Sequence, residues 1–430
     1  MRAGCIESRY TLGMKSFLLF VCVCLAALGQ TGFPTKFSPA VAERADVKRA
    51  LGFIDAHFDE QVAEWIKITE IPAPSGQEQA RAAYVKAEFE KAGLRATVDA
   101  SGNVEARRKG TGGGPTVVFA AHMDTVFPAG TNVKVRREGE RLYAPGVGDN
   151  STSVANLLQV IRAMRDADMK TRGNIVFLAT VQEEVGLKGL YAWLERNKGV
   201  ADLLVGMDGA LGPVNYGALG IYWSKMKFTG PGAHTNRSRG VPNPVLAAAR
   251  CISEIYTVPL PDKAEEVSAV YNVGGMMSAV NVVNAVPQEV TFSVDLRTVD
   301  KQLLATLDDA IVSKCDAAAR AQKVEFAREW IQKSEAGGRP EQLAGARRHP
   351  IVQTAVDVQR YLGVKILAGN EAIASGSTDA NVGVVNGIPS VSVGRGYGGD
   401  NHTLREWSDV GSARIGTKQI VLLAAALTEP

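Results

Sequence analysis

Three short apolar runs, each ending in side chains that bind metals, constrain this chain more than any other feature of its sequence. Residues 116–121 (TVVFAA) lead into His122-Met123-Asp124. Residues 174–180 (NIVFLAT) lead through Val181-Gln182 into Glu183-Glu184, and residues 202–207 (DLLVGM) end in Asp208. Continuous apolar runs of this length, without polar alternation, read as strands buried on both faces, the pattern of a parallel sheet. Helical periodicity lies between them, over 153–167 and 187–197. It also precedes them, where Val47, Leu51, Ile54, Phe58, Val62, Trp65 and Ile66 recur at helical spacing. Pro72-Ala73-Pro74-Ser75-Gly76 breaks that pattern, which resumes over 78–92 and stops at Gly93. Strand alternating with helix implies an α/β sheet with crossover helices.

After Asp208 the texture changes. Residues 222–228, 290–295 and 323–330 read as strands, and 242–256 and 301–321 as helices. That order, β-α-β-β-α-β, predicts an inserted α+β (ferredoxin-like) domain over 214–335. Residues 350–362 are helical again, strands are expected near 364–368 and 389–393, and a last helix starts at 411. The expected fold class is therefore α/β. A mixed, mainly parallel sheet with helices on both faces is split into 40–213 and 336–430 around the insert.

Composition narrows the function. The 48 Lys+Arg against 45 Asp+Glu leave a net charge of +3, which argues against a nucleic-acid binder with a strongly basic domain. Arg2, Arg9 and Lys15 precede twelve apolar residues, 17–28, and small residues flank Leu28. A basic start, a short apolar core and a small-x-small site read as a signal peptide over 1–29. The run is shorter than the roughly 20 residues that a bilayer span takes. The expectation is an exported protein, periplasmic or secreted, with no membrane attachment once the signal is removed. Cys5, Cys22 and Cys24 leave with it, so at most one disulfide, between Cys251 and Cys315, is possible.

In open α/β sheets, ligand sites lie beyond the carboxyl ends of the strands. His122, Asp124, Glu183, Glu184 and Asp208 would converge there. Asp149, in Gly146-Val147-Gly148-Asp149-Asn150, leads into a helix beside them. So many carboxylates in one cleft repel one another, and divalent cations relieve the repulsion. Histidine with carboxylates suits Zn, Co or Mn better than Ca or Mg. Taken singly, each piece also has a plain structural reading, such as a salt-bridged loop histidine, a solvated acidic turn or a helix cap.

The motifs AHMDTVFP, APGVGDN, QEEVG, MDG, GPGAHT, NAVPQEVTFSVDLR and NHTLREW together resemble the M20 family of two-metal peptidases and amidohydrolases, from about residue 50 to 425, and in particular its carboxypeptidase G2-like and peptidase T-like members. The resemblance implies two divalent metal ions per chain. His122 and Asp208 would hold one, Glu184 and His402 the other, and Asp149 would bridge both across a cis Asp149-Asn150 peptide. Glu183 would be the general base and Asp124 would orient the His122 ring. On the insert, His234 would stabilise the oxyanion, and Asn284 and Arg297 would contact the substrate's carboxylate end. An ion pair of Arg297 with Asp295 or Asp300 is the competing reading. The insert would act as a lid and as the surface of a homodimer. Asn150-Ser151-Thr152-Ser153 departs from the family's usual Lys-Gly after the bridging aspartate. Ser377-Thr378-Asp379 and Gly394-Arg395-Gly396 look like loops at the rim. The resemblance implies hydrolysis of an amide bond in a small peptide. The alternatives are an N-acyl amino acid deacylase or desuccinylase, or a relative that binds peptides without cleaving them.

Overall fold

The structure is a computed structural model, and it describes residues 33–262, 269–278, 282–366 and 369–430. The signal-like segment 1–29 lies outside the described residues. An eight-stranded sheet organises most of the chain. Its centre is formed by Val117–His122, Ile175–Thr180, Leu203–Met207 and Ser390–Val393, all mutually parallel. Val104–Arg108 and Ala96–Val98 extend one edge antiparallel, so the sheet is mixed but mainly parallel.

The apolar runs are continuous because both faces of these strands are covered. Val117, Phe119, Ala121, Ile175, Phe177, Ala179, Leu203, Val205 and Met207 point into one core, shared with helices Ala45–Ala56, Phe58–Thr69, Ser151–Asp166, Pro350–Tyr361 and Val410–Leu427. Val118, Val176, Leu178 and Leu204 point into a second core with Leu190 and Trp193 of helix Lys188–Arg196. The two-residue alternation of a strand thus supplies both layers from one run. Helix Val410–Leu427 is apolar and long enough to cross a membrane, but most of it is buried inside the protein.

A second sheet is built from Gly220–Thr229, Ala269–Ser278, Glu289–Thr298 and Glu325–Ser334. The first strand lies between the third and the fourth, and the second lies outside the third. Helices Pro244–Ile255 and Lys301–Gln322 pack together over it, around Met226, Phe228, Phe292, Leu304 and Ile311. This is the expected ferredoxin-like order. Val214–Asn215, by contrast, pairs into the large sheet, parallel to Ala372–Ile373.

The strand expected near 364–368 does not form. Residues 364–366 carry no regular structure, and 367 and 368 lie outside the described residues. Val364 ends the preceding helix instead. Its N–H donates to the Gln359 carbonyl and that of Gly363 donates to the Arg360 carbonyl, with Gly363 at φ +76°. This is the Schellman arrangement, and it uses the first apolar residue of the run as a helix stop.

Cys251 and Cys315 are joined by a disulfide between the two helices of the smaller sheet, and both are fully buried. The bond closes a 64-residue separation, which on the chain-entropy account stabilises by about 4 kcal/mol. Replacing both cysteines by alanine should lower the stability of this layer by roughly 2–4 kcal/mol. Urea melts read by hydrogen exchange in 220–334 would measure the loss, and an unchanged midpoint would refute it.

Candidate metal centre

The site lies where the central strands end. His122 is the last residue of Val117–His122, Asp208 follows Met207, and Glu183 and Glu184 lie three and four residues beyond Thr180. Asp149 arrives from the loop before helix Ser151–Asp166, and its peptide to Asn150 is cis, as expected. His402 enters from the loop after Gly398–Gly399 with φ +62°, a left-handed conformation that is uncommon outside glycine. Gln182, immediately before the two glutamates, is left-handed too, at +54°.

These residues converge. His122 Nε2 lies 3.3 Å from Asp149 Oδ1 and 3.7 Å from Asp208 Oδ2. His402 Nε2 lies 3.3 Å from Asp149 Oδ2 and 3.3 Å from Glu184 Oε1. Asp149 therefore turns one oxygen to each histidine. Glu183 Oε2 is 3.9 Å from His122 Nε2. One ligand atom each from His122, Asp149 and Glu184 fall within 4.8 Å of one another, as do atoms of His122, Glu183 and Asp208. His122 Nε2, Asp149 Oδ1 and Glu184 Oε1 are buried without a hydrogen-bond partner. Buried polar atoms are normally satisfied, so three orphaned ligand atoms aimed at one space fit cations held between them.

The charges are mutually perturbing. Burial holds the Glu183 carboxyl well above its ordinary range; His122 opposes this, and the neighbouring Asp208, Glu184 and Asp379 reinforce it. Burial pushes Glu184 up as well. His122 is pushed well above its usual value: burial opposes the charge, but Glu183, Asp124, Asp149 and Asp208 outweigh it. The Asp149 and Glu184 carboxylates, each 3.3 Å from its Nε2, raise His402 to about 10. Carboxylates crowded and buried in this way, beside imidazoles drawn toward their charged form, suit divalent cations.

Asp124 does more than orient a ring. His122 Nδ1 lies 3.1 Å from the Asp124 backbone carbonyl and 3.4 Å from its carboxylate. That carboxylate accepts from Ser75 Oγ at 2.7 Å and from the N–H groups of Glu183 and Glu184 at 3.0 and 3.2 Å. Glu78 accepts from the Gln182 N–H at 3.1 Å. Three successive amides in front of the two glutamates are thus pinned by carboxylates. The break at 72–76, which the sequence shows only as an interruption, supplies Ser75 for this purpose.

Three other residues bear on the site, two of them, Asp379 and Arg395, in loops that the sequence places at its rim. Glu406, fully buried, accepts from the N–H groups of Gly146, Gly148 and Asp149 at 2.8, 2.8 and 2.7 Å. Burial lifts its carboxyl to about 7 against those hydrogen bonds. Asp379, also buried, accepts from Thr180 Oγ1, and burial lifts it to about 7. Arg395 makes ion pairs with Asp208 and, at 3.5 Å, with Asp149. The sequence marks Glu406 only by its place in NHTLREW, and Asp379 and Arg395 only by the loops Ser377-Thr378-Asp379 and Gly394-Arg395-Gly396.

The insert residues stand apart from this cluster. His234 is exposed, pairs with Ala285 across a two-residue ladder, and its Nδ1 accepts from the Asn236 N–H. Asn284 lies beside it, its carbonyl accepting from the Thr235 N–H. Arg297 forms a two-pronged ion pair with Asp295 at 2.9 Å and lies over the Trp223 ring. Among the described residues, none of the three bonds to the rim cluster.

Comparison with known proteins agrees with this geometry. The chain is 25% identical over 341 residues to carboxypeptidase G2 of Pseudomonas sp. (strain RS-16), covering 76% of this chain and 79% of that one. A tripeptidase of Staphylococcus aureus shares the fold, with a TM-score of 0.73 and 22% identity, over 86% of this chain and 98% of its own. So does a dinuclear metal binding peptidase of the M20 family from Bacillus subtilis, with a TM-score of 0.63 and 15% identity, over 87% and 99%. Residues 118–426 match Peptidase family M20/M25/M40. The chain therefore belongs to that family and is an enzyme that hydrolyses peptide or amide bonds.

Proposed function

We propose that the chain is an exported metallopeptidase acting on small peptides through two divalent ions, with Glu183 as the general base. The observation that carries this reading is Asp149, whose two oxygens each face a different histidine, with Glu183 buried beside them. His122 and Asp208 would hold one ion, Glu184 and His402 the other, and Asp149 both. Zinc, cobalt or manganese suit that donor set. When bound, such ions polarise the scissile carbonyl and acidify water. Glu183, buried beside the ion positions, would take a proton from the attacking water as the carboxylate and pass it to the leaving nitrogen. The hydrogen bonds from the Glu183 and Glu184 amides to Asp124 keep the base and its neighbour in register. Asn284 and Arg297 are the groups for a substrate carboxylate, with Arg297 exchanging Asp295 for the substrate.

Export is supported by the signal-like residues 1–29 and by the Cys251–Cys315 disulfide, since such bonds persist in oxidising compartments. A homodimer through the insert is supported by its outer strands. Val270, Met276, Met277 and Ile331 there are exposed, and an apolar strand edge is a ready template for pairing with a second chain.

Glu183→Gln should keep about two ions per chain, measured by elemental analysis, while turnover of a di- or tripeptide falls by about 10² or more. Asp149→Ala should lose ions instead. A Glu183→Gln protein that loses ions, yet regains full turnover when they are resupplied, would overturn the assignment of the base. Hydrolysis of N-acyl amino acids with no activity on any peptide would make the enzyme a deacylase.

His234 would meet the developing oxyanion from the side opposite the ions, a contribution of about 3 kcal/mol for one such donor. Because it stands apart from its own rim, we assign it to the partner's site. Mixing inactive His234→Ala with inactive Glu183→Gln chains under subunit exchange should restore activity, up to half of wild type per dimer. No recovery despite demonstrated exchange would return His234 to its own chain or remove it from the reaction.

A further inference from the structure

Arg395 is one of the most deeply placed cations in the protein, at 5% exposure, and it lies against two of the carboxylates assigned to the ions. One guanidinium nitrogen contacts Asp208 Oδ1 and lies 3.5 Å from Asp149 Oδ1. The latter oxygen is the one that faces His122 Nε2 at 3.3 Å. The guanidinium and an ion in the His122 position therefore share an oxygen. No ion pair joins Arg395 to Glu184 or His402 among the described residues, and Asp149 and Asp208 stand ahead of Glu184 among the carboxylates that stabilise its charge, so its influence is uneven.

The arginine is held firmly. Its N–H donates to the Gly209 carbonyl at 3.0 Å, and its carbonyl accepts from Asn156 Nδ2 at 3.0 Å. Gly394 lets the backbone pass against Ala210, where a Cβ would lie 2.1 Å from the main chain. A guanidinium stays charged at any working pH, and in a buried setting charges at such distances interact strongly.

We propose that Arg395 makes the two ion positions unequal, weakening the one formed by His122, Asp149 and Asp208 relative to the one formed by Asp149, Glu184 and His402. Two effects act in the same direction. The guanidinium repels a cation brought beside it, and it already neutralises the carboxylates that would attract that cation. The ion at His402 would then be resident, and the ion at His122 would exchange with the surroundings. This inference rests on the two-ion reading above.

Competition between a chromophoric chelator and the ion-free full chain for zinc tests it. The wild type should bind two zinc ions with affinities at least tenfold apart. Arg395→Met, which keeps the apolar stem and loses the charge, should tighten the weaker position by about tenfold or more. Its ion-free form should also melt lower, and zinc should raise its Tm by more than it raises that of wild type. Arg395→Lys should keep the unequal affinities, which separates charge from loss of packing if Arg395→Met folds poorly. Equal affinities in the wild type would overturn the inference and leave the two-ion reading standing. So would a weaker position that is unchanged or loosened in Arg395→Met, because Arg395 would then serve only to hold Asp208. A wild type that binds no zinc would overturn both.

Discussion

The structure turns on the confinement of negative charge at one end of a parallel sheet. Asp124, Asp149, Glu183, Glu184, Asp208, Asp379 and Glu406 share that rim, and most of them are buried. Such a concentration is tolerable only if each carboxylate has its own source of positive potential. Glu406 and Asp124 take theirs from backbone amides, and Asp379 from the Thr180 hydroxyl. Asp208 leans on Arg395. Glu184 and Glu183 are left facing imidazoles and one another, and Asp149 faces both imidazoles with Arg395 at 3.5 Å. The carboxylates that are satisfied by amides and hydroxyls build the walls, and the others face the space that suits cations.

This division also explains how the site keeps its shape. The loop carrying Glu183 and Glu184 is fixed through its main chain, by Glu78 and Asp124, not through the reactive side chains. Arg81, in the first turn of the helix Gln79–Lys91 that follows Glu78, donates to the carbonyls of Ile71 and Met123 and so ties down the segments that lead to Ser75 and Asp124. The loop carrying Asp149 is fixed in the same way by Glu406. In both cases a buried carboxylate reads backbone amides, which leaves the functional oxygens free.

What the sequence shows and what it hides follow from this. The central strands are legible because two-sided burial forces unbroken apolar runs, and the ligands are legible because they stand at the ends of those runs. The roles of Glu406 and Arg395 are not, because their partners are main-chain atoms or side chains about 190 to 260 positions away, a relation that no local pattern carries. Strand Ala269–Ser278 escapes notice for a different reason. Gly274 and Gly275 interrupt its apolar character, and its register shifts between Val273 and Met276. Arg297 shows how far spacing reaches. Its position in the family's pattern is clear, yet Asp295, two residues away on the same face of the strand, holds its fork in the single chain.

The connections to the smaller sheet have a mechanical consequence. The chain enters that sheet at Gly220 and leaves it at Ser334, and Ile221 pairs directly with Ser334 on neighbouring strands. Entry and exit thus lie side by side as a double-stranded stalk, beside which Val299 and Leu303 pack against Leu343 and Ala374. His234 lies beyond Thr229, at the other end of the strand that begins at Gly220. Ten residues of strand span about 30 Å. The insert is therefore a long arm, and a rotation of about 10° at its base would sweep its tip through roughly 5 Å, given that length.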